Sequence, residues 1–282
     1  MYLRVELLTV GHCVHCERMA RAAGRWSRVQ FPALAALIWH PTQGPLLFDT
    51  GYADHFLHAT EPLPERLYRW VTPPVLAPEQ RLQAQLAARG LGLSDIRWCL
   101  VSHFHGDHVA GLRDLPQARF MCLREDLADL RRHGRVAALR RGLLPALLPP
   151  DFEARCRYAE DQPSLPLDGA WSAFGPQGYD LFGDGSLVAI ALPGHSPRQM
   201  GLRLRDACGR ALLLCADAAW SRHAWQAEDW PALPARLVMH DWPAYQRTVR
   251  ALGVLARQQP ELVILPSHCE DSLAAYRALA AA

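Results

Sequence analysis

The part of the sequence that can most readily do chemistry is a short histidine-rich segment after an apolar run. The run Cys99-Leu100-Val101 is followed by Ser102-His103-Phe104-His105-Gly106-Asp107-His108. In an extended chain alternate side chains point the same way, so His103 and His105 are expected on the same side of the chain. A turn at Gly106 can bring Asp107 and His108 to a second position nearby. Imidazole and carboxylate groups suit zinc, iron or manganese, and the segment lacks the cysteines of a purely structural zinc site.

Three more ligand-type residues stand where other apolar, strand-like runs end. His195 follows residues 187–192, Asp217 follows residues 212–216, and His268 follows residues 263–267. Binding sites are commonly built where strands end along one edge of a sheet. The repeated pattern predicts that these three residues join the histidine-rich segment in one metal site.

The elements that must position these residues can be predicted from the sequence, in which short apolar runs alternate with longer amphipathic ones. This alternation indicates a mixed α/β chain. The predicted strands are 2–10, 35–39, 46–49, 97–102, 119–123, 179–182, 186–192, 202–205, 211–216 and 262–266. The predicted helices are 78–88, 124–133, 137–147, 241–258 and 271–281. Gly90 is expected to end the first helix, and Gly183-Asp184-Gly185 predicts a hairpin.

The segment 149–171 is rich in proline and aspartate and is expected to be a loop. We therefore predict a single domain over residues 1–282, with a helical and loop insertion at about 124–172.

The composition is that of an ordinary globular protein of 282 residues with a net charge of +2. A near-neutral charge gives no reason to expect a nucleic-acid or acidic-membrane partner, and no uninterrupted apolar run is long enough for a membrane span. No signal-peptide pattern is visible at the start. The eight cysteines lack the spacing of a disulfide framework, which favours reduced thiols in a cytoplasm.

These motifs, together with Leu47-Phe48-Asp49-Thr50-Gly51, make the sequence resemble the metallo-β-lactamase superfamily with its HxHxDH motif. The resemblance implies an α/β fold, an αββα sandwich of two mixed β-sheets face to face with helices on the outer faces. It implies that one metal is bound by His103, His105 and His195, the other by Asp107, His108 and His268, and that Asp217 bridges them. Asp49 would support the ligand loop from behind.

The resemblance also implies a reaction. Two metal ions, expected to be zinc with iron or manganese as alternatives, would share a hydroxide that attacks a carbonyl, with Asp107 passing the proton to the leaving group. The length and motifs are most similar to acyl-homoserine-lactone lactonases, so we expect a small-molecule lactone or ester as the substrate. A thioesterase resembling hydroxyacylglutathione hydrolase is the second expectation, since it uses the same ligands.

Other classes are weaker alternatives. A nuclease would need a basic arm, a non-catalytic module would have lost ligands, and a single-iron oxygenase could use His103, His195 and Asp217. The oligomeric state is open, with a homodimer among the possibilities.

The sequence departs from the lactonases beside the bridging aspartate, where Trp220 stands at the position of a tyrosine that contacts the lactone carbonyl. The residues expected to line the substrate pocket are Tyr52, Trp220, Arg222, His223 and Trp225. A second departure is Gln199, which occupies the position of a histidine whose role is usually structural.

Three further features have a purely structural interpretation as well as a functional one. Cys215 is expected to be a buried strand residue rather than a ligand. The run Cys13-Val14-His15-Cys16 resembles half a zinc site but is expected to be a loop near the pocket mouth. The arginines of residues 131–141 are expected to form a solvated helix face, with a docking surface for an acidic partner as the alternative.

Overall fold

The computed structural model describes the backbone of residues 1–281 and the side chains of residues 1–279, and the chain divides into two compact units. The N-terminal unit comprises Arg4–His15 and Gln30–Tyr158, and the C-terminal unit comprises Met1–Leu3, Cys16–Val29 and Ala159–Ala282. Two mixed β-sheets accompanied by helices confirm the predicted α/β class. The single domain with an insertion at 124–172 stays a prediction.

The N-terminal unit is built on a seven-stranded sheet with the order β4-β1-β2-β3-β5-β6-β7. Its strands are β1 (Arg4–Cys16), β2 (Arg28–His40), β3 (Gly44–Phe48), β4 (Pro74–Val75), β5 (Trp98–Leu100), β6 (Arg119–Cys122) and β7 (Cys156–Tyr158). The last four strands in the sheet order are parallel, whereas β2 and β3 are antiparallel. Leu47 pairs with Cys99 and Phe48 with Leu100, so β3 and β5 end together. The residues that follow these two strands therefore meet at one edge of the sheet.

The helices of this unit are α1 (Asp54–Ala59), α2 (Arg66–Val71), α3 (Leu82–Ala87), α4 (Gly106–Val109), α5 (Arg124–Arg132), α6 (Arg135–Arg140) and α7 (Phe152–Arg155). The predicted helix 78–88 consists of a 3₁₀ turn, Pro78–Gln80, and α3, and it ends at Gly90 as predicted. The predicted helix 137–147 is interrupted at Gly142 and continues only as a 3₁₀ turn, Pro145–Leu147. Phe120 and Phe152 stack at 4.8 Å in the buried core.

The C-terminal unit is built on a six-stranded sheet with the order β13-β12-β11-β10-β9-β8. Its strands are β8 (Ser164–Pro166), β9 (Gln177–Asp180), β10 (Val188–Ala191), β11 (Met200–Arg205), β12 (Ala211–Ala216) and β13 (Val263–Pro266). β12 and β13 are parallel, and β11 is antiparallel to both β10 and β12. Strands β10, β12 and β13 consequently run in the same direction and end at the same edge. The hairpin at Gly183-Asp184-Gly185 is confirmed, because Asp180 accepts hydrogen bonds from the N–H groups of Gly183 and Gly185.

The helices of this unit are α8 (His223–Ala227), α9 (Leu233–Arg236), α10 (Trp242–Gln258) and α11 (Glu270–Ala281). The carboxylate of Asp241 accepts a hydrogen bond of 2.9 Å from the N–H of Ala244 and caps α10, which confirms the predicted start of this helix. Within the described residues, no helix combines the length and the apolar character needed to cross a membrane.

Two segments that we predicted as loops contain regular structure. Residues 13–16 are the end of β1, where His12 and Cys13 pair with Val75 and Pro74 of β4. The segment 149–171 contains α7, β7 and β8. Strands of two or three residues carry little local signal, and pairing with distant strands selects them. All eight cysteines are present as thiols.

Candidate metal centre

The four ligand-type residues of the HxHxDH motif come together at the end of β5 and in α4. The ring centroid of His103 lies 4.6 Å from that of His105 and 4.2 Å from that of His108. A ligand atom of His103 lies within 4.8 Å of one on His105 and of one on His108, and Asp107 approaches His108 in the same way. The three imidazoles are buried. The turn predicted at Gly106 is the first turn of a short helix, which carries Asp107 and His108.

Asp49, which the resemblance predicted as a support of the ligand loop, is hydrogen-bonded to Ser102 and His108. It follows β3, is fully buried, and accepts hydrogen bonds from the Ser102 N–H (2.8 Å), the Ser102 hydroxyl (2.7 Å) and Nδ1 of His108 (2.8 Å). The Ser102 Oγ also lies 3.0 Å from Nδ1 of His103, and it can accept there because its own proton goes to Asp49. Both imidazoles therefore carry the proton on Nδ1, which leaves the Nε2 lone pair for a metal.

Thr50 and Ser102 are supporting residues to which the sequence reasoning gave no role. The Thr50 hydroxyl and N–H both donate to the carbonyl of His108, each at 2.8 Å, and the hydroxyl accepts from the N–H of Gly111 at 3.0 Å. Thr50 thereby fastens α4 to the end of β3. The available signals were the two hydroxyl side chains beside Asp49 and His103.

The three candidates of the C-terminal unit follow β10, β12 and β13, as predicted. Oδ2 of Asp217 lies 3.2 Å from Nε2 of His195 and 3.1 Å from Nε2 of His268. The common direction of the three strands brings these residues to one edge of the sheet. One buried carboxylate oxygen of Asp217 thus lies between the Nε2 atoms of two imidazoles.

Two neighbours orient this group. The indole N–H of Trp220 donates to the same Asp217 Oδ2 at 2.8 Å, and the sulfur of Met239 lies 3.2 Å from Nδ1 of His195. The structure therefore places the polar edge of Trp220 on the candidate bridging carboxylate. Met239 was missed by sequence reasoning, because a methionine before a helix carries no functional signal.

The other residues predicted to line the substrate pocket contact groups other than the candidate ligand Asp217. Trp225 is buried in the core of the C-terminal unit. His223 and Arg222 both approach Oδ2 of Asp271, with nitrogen-to-oxygen distances of 3.3 and 3.9 Å. Tyr52 is buried in the N-terminal unit, edge-on to a phenylalanine ring at 5.1 Å.

The buried hydroxyls of Tyr52 and Tyr245 and the buried thiol of Cys215 stay protonated at neutral pH. Burial raises the pKa of Tyr52 well above its ordinary value, and the charge of Asp107 raises it further. Burial also raises the pKa of the Tyr245 hydroxyl and of the Cys215 thiol, with a smaller contribution from Asp217. Cys215 is a fully buried residue of β12, as predicted. A neutral thiol in that position does not act as a thiolate ligand.

Gln199 has a structural role in place of the expected histidine. Its side chain is fully buried, and its amide donates to the carbonyl of Cys215 at 3.0 Å. This bond ties the start of β11 to the end of β12, directly before Asp217.

The donor set in each unit fits a divalent metal ion. Imidazole nitrogens and carboxylate oxygens are the ligands that zinc, manganese and iron accept. Burying such polar groups next to one another is costly without compensation, and a bound cation supplies that compensation.

The comparisons with known proteins agree with this chemistry. Residues 28–268 match the sequence profile of the metallo-beta-lactamase superfamily. The chain is 26% identical over 265 residues to the N-acyl homoserine lactonase AttM of Agrobacterium fabrum, covering 90% of this chain and 88% of that protein. It is 28% identical over 195 residues to a probable metallo-hydrolase of Mycobacterium tuberculosis, covering 66% of this chain and 56% of the relative.

Solved structures share the fold at lower identity. A Bacillus thuringiensis AiiA variant with N-decanoyl-L-homoserine at its active site has a TM-score of 0.73 and 17% identity, covering 98% of this chain and 97% of its own. AidC, a dizinc quorum-quenching lactonase in complex with a product, has a TM-score of 0.64 and 15% identity, covering 95% of this chain and 88% of its own.

Proposed function

Since the chain belongs to the metallo-β-lactamase superfamily and is a metal-dependent hydrolase, we propose that it uses two metal ions to open the ring of a lactone. The observation that carries this proposal is the carboxylate of Asp217, with one oxygen 3.2 and 3.1 Å from two imidazole nitrogens. A bridging carboxylate at this position is what the resemblance to the lactonases implies.

The proposed ligand set follows the resemblance position by position. One metal takes His103, His105 and His195, the other takes Asp107, His108 and His268, and Asp217 is common to both. Zinc is the proposed metal, because nitrogen and carboxylate ligands without thiolate suit it and because one structural relative is a dizinc lactonase.

Two metal ions held in this way would supply a hydroxide near neutral pH and polarise a carbonyl oxygen. The chain's own groups prepare that chemistry. Asp49 and Ser102 fix the protons of His108 and His103 on Nδ1, and Asp217 is held by the Trp220 indole. Asp107 is the carboxylate that can carry a proton to the departing alkoxide.

A lactone is proposed as the substrate because the relatives include N-acyl homoserine lactonases along most of the chain. Trp220 replaces the lactonase tyrosine and donates its only N–H to Asp217. We therefore propose that the substrate carbonyl is oriented without a phenol and that Tyr52, Arg222, His223 and Trp225 contribute to the pocket. A cytoplasmic location belongs to the same proposal.

The test is turnover of a substrate panel by the purified, zinc-reconstituted protein. The panel contains acyl-homoserine lactones of several chain lengths, simple lactones, aryl esters and S-lactoylglutathione. The central variant is Asp217→Asn. Its matched control is Asp180→Asn, which removes another buried carboxylate that accepts backbone hydrogen bonds at a turn.

Lactone opening that is lost in Asp217→Asn and kept in Asp180→Asn supports the proposal. Turnover of the thioester alone would replace the lactonase by the thioesterase. Metal analysis of the same samples tests the dinuclear site, and a wild-type protein that binds no metal would refute it.

A further inference from the structure

The arginine-rich segment 124–148, which the reaction chemistry does not use, reaches the candidate ligand His105. The contact begins where α6 ends. The Gly142 N–H donates to the carbonyl of Leu139 at 3.0 Å, and the Leu143 N–H donates to that of Ala138 at 2.9 Å. Gly142 has φ +70°. These two bonds around a left-handed glycine are a Schellman motif, which turns the chain sharply out of the helix.

The turned chain then packs on His105. Leu143 forms an isolated antiparallel bridge with His105. A Cβ atom added to Gly142 would lie only 3.1 Å from Cδ2 and 3.2 Å from Nε2 of the His105 ring. The segment therefore pairs with the backbone of His105 and lies beside its imidazole, and a side chain at position 142 would require the ring to shift by a few tenths of an ångström.

An ion pair holds this turn in place. Asp129 of α5 is buried, and its carboxylate oxygens lie 3.1 Å from Nε of Arg141 and 3.1 Å from Nε2 of His133. Arg141 directly precedes Gly142. At least this arginine of the segment is therefore directed onto an internal carboxylate and does not belong to a solvated face.

We propose that segment 124–148 positions the ligand His105, with Gly142 and Asp129 as positioning residues. The inference rests on the proposed function, because it assigns the segment to the same metal site. Fixing the ring before a metal binds lowers the ordering cost of binding, as partners behind a ligand generally do.

The chain offers a matched control in Gly90. It ends α3 with the same pair of bonds, from the N–H of Gly90 to Ala87 and from that of Leu91 to Leu86, both at 3.0 Å. Its φ is +73°, and no atom of the described residues lies within 4 Å of an added Cβ. Gly90→Ala and Gly142→Ala therefore share the cost of a left-handed alanine, about 1 kcal/mol. Only Gly142→Ala also presses on His105.

The experiment is a competition titration of zinc between the protein and a chromophoric chelator, with thermal unfolding recorded for each variant. We expect Gly142→Ala to lose roughly tenfold to a hundredfold in affinity for one of two zinc ions, the scale found for partners behind metal ligands. Gly90→Ala should keep the wild-type affinity. Equal affinities in the two variants would overturn the inference. Absence of zinc binding by the wild-type protein would instead overturn the proposed function.

A second pair of variants decides the matter if Gly142→Ala does not fold. Asp129→Asn removes the charge that holds Arg141, whereas Asp151→Asn removes a carboxylate 2.9 Å from Arg155 on the surface of the neighbouring α7 region. Weaker zinc binding in Asp129→Asn alone supports the inference. Unchanged zinc binding in both variants contradicts it.

Discussion

Asp49 is the residue whose replacement most directly tests how the ligands are prepared. Its Oδ1 accepts from the Ser102 N–H, and its Oδ2 accepts from the Ser102 hydroxyl and from Nδ1 of His108. In Asp49→Asn the amide oxygen can still accept the hydrogen bond from the Ser102 N–H. The amide NH₂ then faces the Nδ1 proton of His108, so donor meets donor in a fully buried place.

The expected magnitude follows from these contacts. Two hydrogen bonds to a charged group are lost, which corresponds to about 3–6 kcal/mol. The imidazole of His108 can avoid the clash by moving its proton to Nε2, but Nε2 is then no longer a metal ligand. We therefore expect both a lower free energy of unfolding and a metal affinity reduced roughly tenfold to a hundredfold.

The assay is equilibrium zinc competition on folded protein, combined with urea unfolding of the metal-free form. Asp206→Asn is the matched control, because Asp206 is also buried and accepts bonds from Cys208 and from the N–H and Nε of Arg210 at a turn. That variant should be less stable but bind zinc normally. Normal zinc affinity in Asp49→Asn would refute the idea that this carboxylate sets the proton of His108.

Two further outcomes follow from the structure. Trp220→Phe removes a 2.8 Å hydrogen bond to the Asp217 carboxylate, worth about 1.5–3 kcal/mol, so zinc affinity should fall. The control is Trp230→Phe, because Trp230 lies in the same unit and packs against another tryptophan ring. This variant should keep the wild-type zinc affinity. Equal affinities in these two variants would show that the indole does not hold Asp217. Burial raises the pKa of the Cys99 and Cys215 thiols above the ordinary 9.0, so above that pH they ionise only in the unfolded chain and the free energy of unfolding falls as pH rises. A thiol reagent at pH 8 should label the exposed Cys208 and spare both buried thiols until the chain unfolds, and labelling of Cys99 or Cys215 in the folded protein would contradict their burial.

Much of the fold was predictable because its central strands are apolar runs with a strong local signal. The strand 211–216 agrees with β12 residue for residue, and Asp241 and Gly90 bound their helices as expected. The prediction was wrong where pairing with distant strands decides the structure. Near the end of β1, His12 and Cys13 pair with Val75 and Pro74 of β4, a strand about 60 residues away whose position the local sequence does not specify.

The sequence by itself determined the residue types of the metal site and their places after strands, because ligand spacing and apolar runs are local properties. The resemblance carried by the motif at the end of β3 also predicted Asp49 as a support. Only the tertiary structure decided which atoms meet. Parallel alignment of β12 with β13 brings Asp217 to His268, and the strand alignment of β3 with β5 brings Asp49 to Ser102.

The contacts of Trp220 and Gly142 were likewise decided in three dimensions. The local sequence indicates that a tryptophan can line a pocket and that a glycine can end a helix. The direction of an indole N–H toward Asp217, and the approach of a glycine to His105, depend on how separate segments pack. Packing is a property of the whole chain, because each contact must displace water and order groups that are distant in sequence.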